Sequence, residues 1–217
     1  MHALVVGATG ATGKDLVDLL LGNDTFQQVD IFVRRPIERQ HQKLQVHVID
    51  FDKPDEWWQL VNGDVLFSCL GTTLKAAGSK EAQWKIDYEY QYWFAKAARE
   101  NGVQHYVLVS AGFASANSVL YYSKMKGQLE EAVQALKFPK TTIFKPPMLI
   151  RDNTDRQGEV VGIKFLNLLN KVGLFRSQKP LPTSVLAQAM INTALARGSG
   201  SSVIQGGKIW QLADGGK

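Results

Sequence analysis

Between residues 4 and 21 the chain reads LVVGATGATGKDLVDLLL. An apolar run of strand length, Ala3 to Val6, passes straight into glycines at 7, 10 and 13. These pass into a segment whose Leu16, Leu19 and Leu20 recur at helical spacing before Gly22-Asn23 stops it. A strand that turns within a few residues into an amphipathic helix opens a βαβ unit. Such a unit requires a parallel sheet with helices laid on it.

The rest of the chain keeps that rhythm. VDIFVRRP, LQVHVIDF, GDVLFSCLG, VQHYVLVSAG and TTIFKPP read as further strands, and several lack the strict alternation of a half-exposed strand, as expected when both faces are covered. Between them DKPDEWWQLV reads as a short helix with Pro54 in its first turn. Ser79 is placed to cap a long helix, KEAQWKIDYEYQYWFAKAAREN, that ends at Asn101-Gly102, and VLYYSKMKGQLEEAVQAL reads as another helix. The expected fold is α/β, a Rossmann-type doubly wound parallel sheet formed by a single domain over residues 1–217. After Pro147 come a polar loop (RDNTDRQGE), two helical segments (VVGIKFLNLLNKVGLF and PTSVLAQAMINTAL) and GKIWQLA, read as a last strand. Residues of about 150–200 are expected to form a small C-terminal lid on the substrate side, with Phe165, Leu168 and Phe175 giving it an apolar lining.

Composition narrows the setting. A chain of 217 residues suffices for one well-buried core, and a single cysteine, Cys69, excludes an internal disulfide and a multi-cysteine metal site. The opening apolar stretch is too short for a secretory signal, and no window approaches the ~18 apolar residues of a membrane span. The expectation is a soluble, cytoplasmic protein. Its net charge of +5 is dispersed, with Arg34-Arg35 and Lys124-x-Lys126 the densest groups, so an anionic small ligand explains it better than nucleic acid.

In the loop, Gly7 suits the tight turn, Gly10 the approach of backbone to a pyrophosphate, and Gly13 the close packing of helix on strand. Thr9, Ala11 and Thr12 complete a cradle whose free N–H groups and positive helix end face the phosphates. About 20 residues on, where an acid would accept from an NAD ribose, stand Arg34 and Arg35. Two guanidinium groups there suit a 2′-phosphate, so NADP(H) is expected in preference to NAD(H). Asp50 and Phe51 follow the third strand where an adenine would lie, and Asp50 reads equally well as a turn acid before a helix. Cys69, Leu70, Gly71 and Thr72 follow the fourth strand along the same crevice, with Cys69 read as a small buried residue.

The acid–base chemistry is expected from Tyr122 and Lys126, four apart and so on one helical face. A lysine ammonium favours the phenolate of a neighbouring tyrosine, and the same ammonium can donate to a nicotinamide ribose. Tyr121 and Lys124 are the rival pair, and Ser110, at the end of the fifth strand, can orient a substrate oxygen.

Taken together, the glycine loop, Ser110 and Tyr122-x-x-x-Lys126 resemble the short-chain dehydrogenase/reductase superfamily in its atypical, extended-like division. More narrowly, GATGATG, VRRP, DF, CLGTT, LYYSKMKG, IFKPPMLI and PTSVLAQAM, in this order along nearly the whole chain, resemble the Tat-interacting-protein-like oxidoreductases. That resemblance implies bound NADP(H), with Tyr122 as acid/base, Lys126 tuning it and holding the ribose, and Ser110 orienting substrate. It also implies that Lys145 to Met148, Pro146 and Met148 among them, border the nicotinamide. The chain departs from the pattern after Ser110, where Ala111 and Gly112 stand instead of a second hydroxyl residue.

The expected activity is NADPH-dependent hydride transfer to or from a small carbonyl or alcohol. An epimerase or dehydratase of the same superfamily, or a regulatory protein that senses NADP(H), is the alternative. The expected partner is a small-molecule substrate, with no nucleic acid and no membrane. The aromatic helix QWKIDYEYQYWFAKAA has more large apolar side chains than one stripe needs, which leaves the protein a monomer or a homodimer.

Overall fold

The structure is a computed structural model and describes residues 1–150 and 180–215. Six strands follow the order of the expected apolar runs: β1 (His2–Val6), β2 (Gln28–Val33), β3 (Leu44–Val48), β4 (Val65–Ser68), β5 (His105–Val109) and β6 (Lys140–Lys145). With β9 (Gly200–Gln205) they form one seven-stranded sheet in the order β3-β2-β1-β4-β5-β6-β9. Every pairing in it is parallel. The strand order reverses between β1 and β4, so the connections leaving those two strands diverge and open a crevice at their carboxyl ends.

Two cores sandwich the sheet. Ala3 and Val5 of β1 face one side, where Leu16, Val17 and Leu20 of the Ala11–Leu21 helix pack with Leu186, Ala187 and Met190 of the Thr183–Leu195 helix. Leu4 and Val6 face the other side, against Phe94 and Ala98 of the Tyr90–Glu100 helix and Leu129 and Val133 of the Tyr121–Ala135 helix. Each such fully buried side chain contributes about 1.5–3 kcal/mol relative to exposure. That is why the period-2 and period-3.6 patterns were readable. On this second side Trp57 stacks on Phe94 with ring centroids 4.2 Å apart.

The long aromatic helix is broken in its register. It runs as helix over Lys80–Trp84, a π-helical turn over Lys85–Glu89, and helix again over Tyr90–Glu100, with Ser79 Oγ capping its start by accepting the Ala82 N–H at 3.1 Å. Trp84, Tyr88 and Tyr92 form a half-buried stacked file along it, at 4.5 and 6.2 Å between centroids.

The last strand differs from expectation. GKIWQLA is not a strand but the helix Gly207–Ala213, and the strand that closes the sheet is the preceding GSSVIQ. At the sheet edge only Ile204 of β9 is buried, so this strand carries almost no apolar signal. The segment after it buries Ile209 and packs Leu212 and Ala213 near the Thr183–Leu195 helix, whose Asn192 Nδ2 donates to the Leu212 carbonyl at 2.7 Å. Leu149–Ile150 (β7) and Leu181–Pro182 (β8) pair as a small separate sheet. The polar loop, the first late helical segment and the lid residues Phe165, Leu168 and Phe175 lie outside the described residues, so the proposed lid has no structural account here.

Candidate dinucleotide and acid–base site

The crevice begins at Gly7, whose φ of +83° is a conformation that a residue with a side chain rarely adopts. A Cβ there would also sit 2.5 Å from the Cys69 carbonyl carbon, so the two strand ends that frame the crevice approach each other only because position 7 is glycine. A Cβ at Gly13 would collide with the Gly7 carbonyl oxygen, which confirms close helix-on-strand packing at that position. Gly10 differs, because a Cβ there would meet the Gly7 oxygen at 3.3 Å and the Cys69 oxygen at 4.0 Å, neither of them a collision. The space beyond Gly10 is therefore left open by the fold rather than filled by it. Gly10 is also the N-cap of the Ala11–Leu21 helix and brings no side-chain cap, so the first helical N–H groups face the crevice without a side-chain acceptor.

A cleft of about 170 Å³ of solvent-accessible volume lies over this turn, lined by Gly7, Thr9, Gly10, Arg34, Phe51, Cys69, Leu70, Gly71, Thr72, Ile86 and Tyr90. Nine of these residues are among those expected from sequence. Arg35 is exposed and does not line the cleft, and neither do Ala11, Thr12, Gly13, Asp50, Lys126, Pro146 and Met148. Asp50 instead holds the turn after β3. Its Oδ1 accepts the Asp52 N–H at 3.0 Å and its carbonyl accepts the Trp57 indole N–H at 3.0 Å. Asp30, the nearest acid to Arg34 on β2, is 4% exposed, with His2 and His47 ring nitrogens 2.9 and 2.7 Å from its carboxylate, so it is engaged back along the strand.

Tyr90 and Ile86 were missed. Ile86 lies within the π turn and Tyr90 directly after it, where the helical phase departs from the 3.6-residue period read from sequence. Tyr90 donates to Asp52 at 2.6 Å, and Asp52 also meets Lys85 at 2.7 Å. Burial, with the Asp52 carboxylate adding to it, pushes the Tyr90 phenol well above the ordinary tyrosine range. Tyr90 is a neutral wall of the cleft, stacked edge-on to Phe51.

The Cys69 thiol is pushed up to about 12 by burial, so it is uncharged at neutral pH and matches the packing reading. The Tyr121–Ala135 helix carries Tyr122 at its exposed start and Lys126, 1% exposed, one turn inward. Lys126 Nζ donates to the Val109 carbonyl at 3.5 Å. Tyr121, the rival tyrosine, donates its hydroxyl to the Lys80 carbonyl at 2.6 Å and is thereby tied to the neighbouring helix. Ser110 is buried, and its hydroxyl donates to Glu130, whose other oxygen meets Lys145 Nζ at 3.2 Å. Lys145 in turn donates to the Ala114 carbonyl at 2.7 Å. Glu130 had no distinguishing signal in the sequence, because a glutamate in a helix is ordinary until the strand behind it is known.

The fold and the glycine-lined crevice define a Rossmann-type dinucleotide-binding protein. The narrower assignment follows from likeness to known proteins. The family model described as NAD(P)H-binding matches residues 7–165, and the chain belongs to that family. It is 33% identical over 201 residues to Protein HTATIP2 of Rattus norvegicus, covering 90% of this chain and 82% of the rat protein. It is 35% identical over 201 residues to Protein FMP52, mitochondrial, of Meyerozyma guilliermondii, covering 90% of this chain and 86% of that one. The resemblance to Tat-interacting-protein-like members of the short-chain dehydrogenase/reductase superfamily therefore stands.

Among solved structures, MoeE5 in complex with UDP-glucuronic acid and NAD superposes with a TM-score of 0.72 at 17% identity, over 94% of this chain and 75% of that one. The oxidoreductase ylbE from Lactococcus lactis gives 0.70 at 18%, over 99% and 95%. At such identities the likeness concerns the fold. The cytoplasmic expectation is corrected by these comparisons, since the fungal relatives are named as mitochondrial proteins. Cysteine scarcity and short apolar runs do not distinguish one compartment from another.

Proposed function

We propose that the protein is an NADP(H)-dependent oxidoreductase that transfers hydride to or from a small carbonyl or alcohol. The observation that carries this reading is the pairing, on one helix beside the dinucleotide cleft, of a tyrosine 41% exposed at position 122 with a lysine buried to 1% at position 126. Burying an ammonium is unfavourable unless its charge is used. A positive charge one turn from a phenol favours the phenolate and brings proton transfer toward neutral pH.

The cleft's own residues fit the cofactor. The backbone from Gly7 to Gly13 and the helix start would hold the pyrophosphate, Arg34 the 2′-phosphate, and Phe51, Ile86 and Tyr90 the adenosine end. When bound, the nicotinamide supplies or accepts the hydride. Tyr122 gives a proton to the substrate oxygen during reduction, or takes it during oxidation. Lys126 stabilises the phenolate left behind and donates to the ribose.

Equilibrium titration of the wild type and Arg34→Ala with NADPH and NADH tests the cofactor assignment. Arg34→Ala is expected to lose about 1.5–3 kcal/mol toward NADPH and little toward NADH. An equal loss for both cofactors would remove the 2′-phosphate from the account. Tyr122→Phe is expected to abolish turnover across a carbonyl panel while NADPH binding persists.

One observation favours the sensing alternative. The Ser110 hydroxyl is engaged by Glu130, and no second hydroxyl residue follows it, so substrate orientation has less support than cofactor binding. Partner binding that survives Tyr122→Phe but fails when the glycine loop is altered would favour that alternative.

A further inference from the structure

The helix running beneath the lip of the cleft carries a buried carboxylate that the reading above does not use. Asp87 lies in the π-helical turn Lys85–Glu89 and is 0% exposed. Its Oδ2 accepts the Thr72 N–H at 3.1 Å, while its Oδ1 has no hydrogen-bond partner among the described residues and faces Gly71, where a Cβ would stand 3.5 Å away. Gln83, from the same rod of helix, donates to the Thr72 carbonyl at 3.4 Å, so Thr72 is held from both sides. Gln91 donates to the Asp87 carbonyl at 2.9 Å and accepts from the Ser68 hydroxyl at 2.9 Å, which ties the π turn to the end of β4. Thr72 and Gly71 line the cleft.

Lys126 faces this carboxylate from the neighbouring helix. Burial lowers the Lys126 ammonium below the ordinary lysine range, the charges of Asp87 and Glu130 oppose that shift, and the Lys126 charge acts in turn on Asp87. Glu130 is already committed, one oxygen to Ser110 and the other to Lys145. Asp87 and Glu130 both act on Lys126 through their charge, but both Glu130 oxygens are engaged, whereas one Asp87 oxygen has no hydrogen-bond partner among the described residues. Tyr121 is the remaining titratable group that feels Asp87, and its hydroxyl is tied to the Lys80 carbonyl. For stability alone the arrangement is unfavourable, because an unpaired buried carboxylate oxygen carries its full desolvation penalty. A neutral amide would serve the Thr72 N–H equally well. π turns occur frequently at functional positions, and this one is what directs Asp87 inward.

We propose that Asp87 is a positioning residue of the cofactor cleft, fixing its Leu70–Thr73 lip through Thr72 and supplying the negative charge opposite the buried ammonium of Lys126. The proposal rests on the reading of Lys126 as a cofactor contact. Its geometry has support from the direction of the titration, since burial pushes the Asp87 carboxyl up to about 6 while Lys126 and the Thr72 N–H draw it back. Asp87 is thus mostly ionised at neutral pH and becomes protonated as pH falls through about 6.

NADPH titrations of the wild type and Asp87→Asn between about pH 5 and 8, with thermal unfolding in parallel, test this. Asparagine keeps the shape and the acceptor for Thr72 but removes the charge. Near pH 7.5 the variant is expected to bind about tenfold more weakly, and the ratio of the two affinities should shrink toward unity as pH falls to about 5. The titrating 2′-phosphate of NADPH is common to both proteins and cancels in that ratio. A ratio that is constant across pH, or equal affinities throughout, overturns the proposal; a fall in Tm with a constant ratio would show a purely structural aspartate. Should Asp87→Asn fail to fold, Lys126→Met is expected to erase the wild type's change in affinity near pH 6 beyond that of NADPH itself, and its persistence overturns the proposal. If the wild type binds neither NADPH nor NADH, the cofactor reading itself fails, an outcome visible before any variant is compared.

Discussion

One methyl group separates two roles within the glycine loop. At position 13 it would collide with the Gly7 carbonyl oxygen, so Gly13→Ala must push the Ala11–Leu21 helix off β1. Overpacking of this kind costs about 1–3 kcal/mol, and urea unfolding should show it as a lower midpoint. At position 10 the same methyl would meet two carbonyl oxygens, at 3.3 and 4.0 Å, so Gly10→Ala should lower the midpoint far less than Gly13→Ala while weakening NADPH binding. Equal losses of stability in the two variants would contradict the division of roles. These glycines, Arg34, Phe51 and the Tyr122–Lys126 spacing were legible because each is a local pattern. Asp87, Glu130 and Tyr90 were not legible. Asp87 comes to support the cleft wall only when a helix bulge meets a loop 15 residues earlier in the chain.

At the scale of elements, capping and periodicity were the reliable signals. Ser79 starts the long aromatic helix by accepting the Ala82 N–H at 3.1 Å. Ser79→Ala should cost about 1 kcal/mol in thermal or urea unfolding and leave NADPH affinity intact, because Ser79 does not line the cleft. A loss of binding equal to the loss of stability would mean that the helix start and the Thr72 lip unfold as one unit. The helix itself reads as unbroken, yet its π turn between Lys85 and Glu89 rotates everything after it. The same limit explains the exchange of strand and helix at the end of the described chain. GSSVIQ pairs with β6 through its backbone and buries one side chain, whereas Ile209, Leu212 and Ala213 of the following segment pack on a helix that only the fold brings near.

For the whole molecule, two buried aspartates set opposite slopes of stability against pH. Burial pushes the Asp30 carboxyl up, but contacts with His2, His47 and Gln28 outweigh it and hold the group far below the usual range. A depressed carboxyl contributes stability above its unfolded value near 4 and loses it as pH falls. Asp87 behaves in reverse. Its carboxyl, raised by burial to about 6, makes the folded state bind the extra proton, so stability declines as pH rises from about 4 to 6, by roughly 3 kcal/mol at most. Urea unfolding of Asp87→Asn across that window should lose this decline, and Asp30→Asn should keep it. If the decline survives in Asp87→Asn, the burial of that carboxylate is less complete than the structure shows.

The amino-acid sequence by itself determined the layer order and the glycine turn that opens the crevice. Strand and helix periods are written residue by residue, and the glycine loop needs only its two flanking elements. The tertiary structure alone decided which side chains close the cleft, where the last strand lies, and that a buried carboxylate faces Lys126. Those outcomes depend on contacts between segments distant in the chain and on a helical phase shift, and neither leaves a local pattern to read.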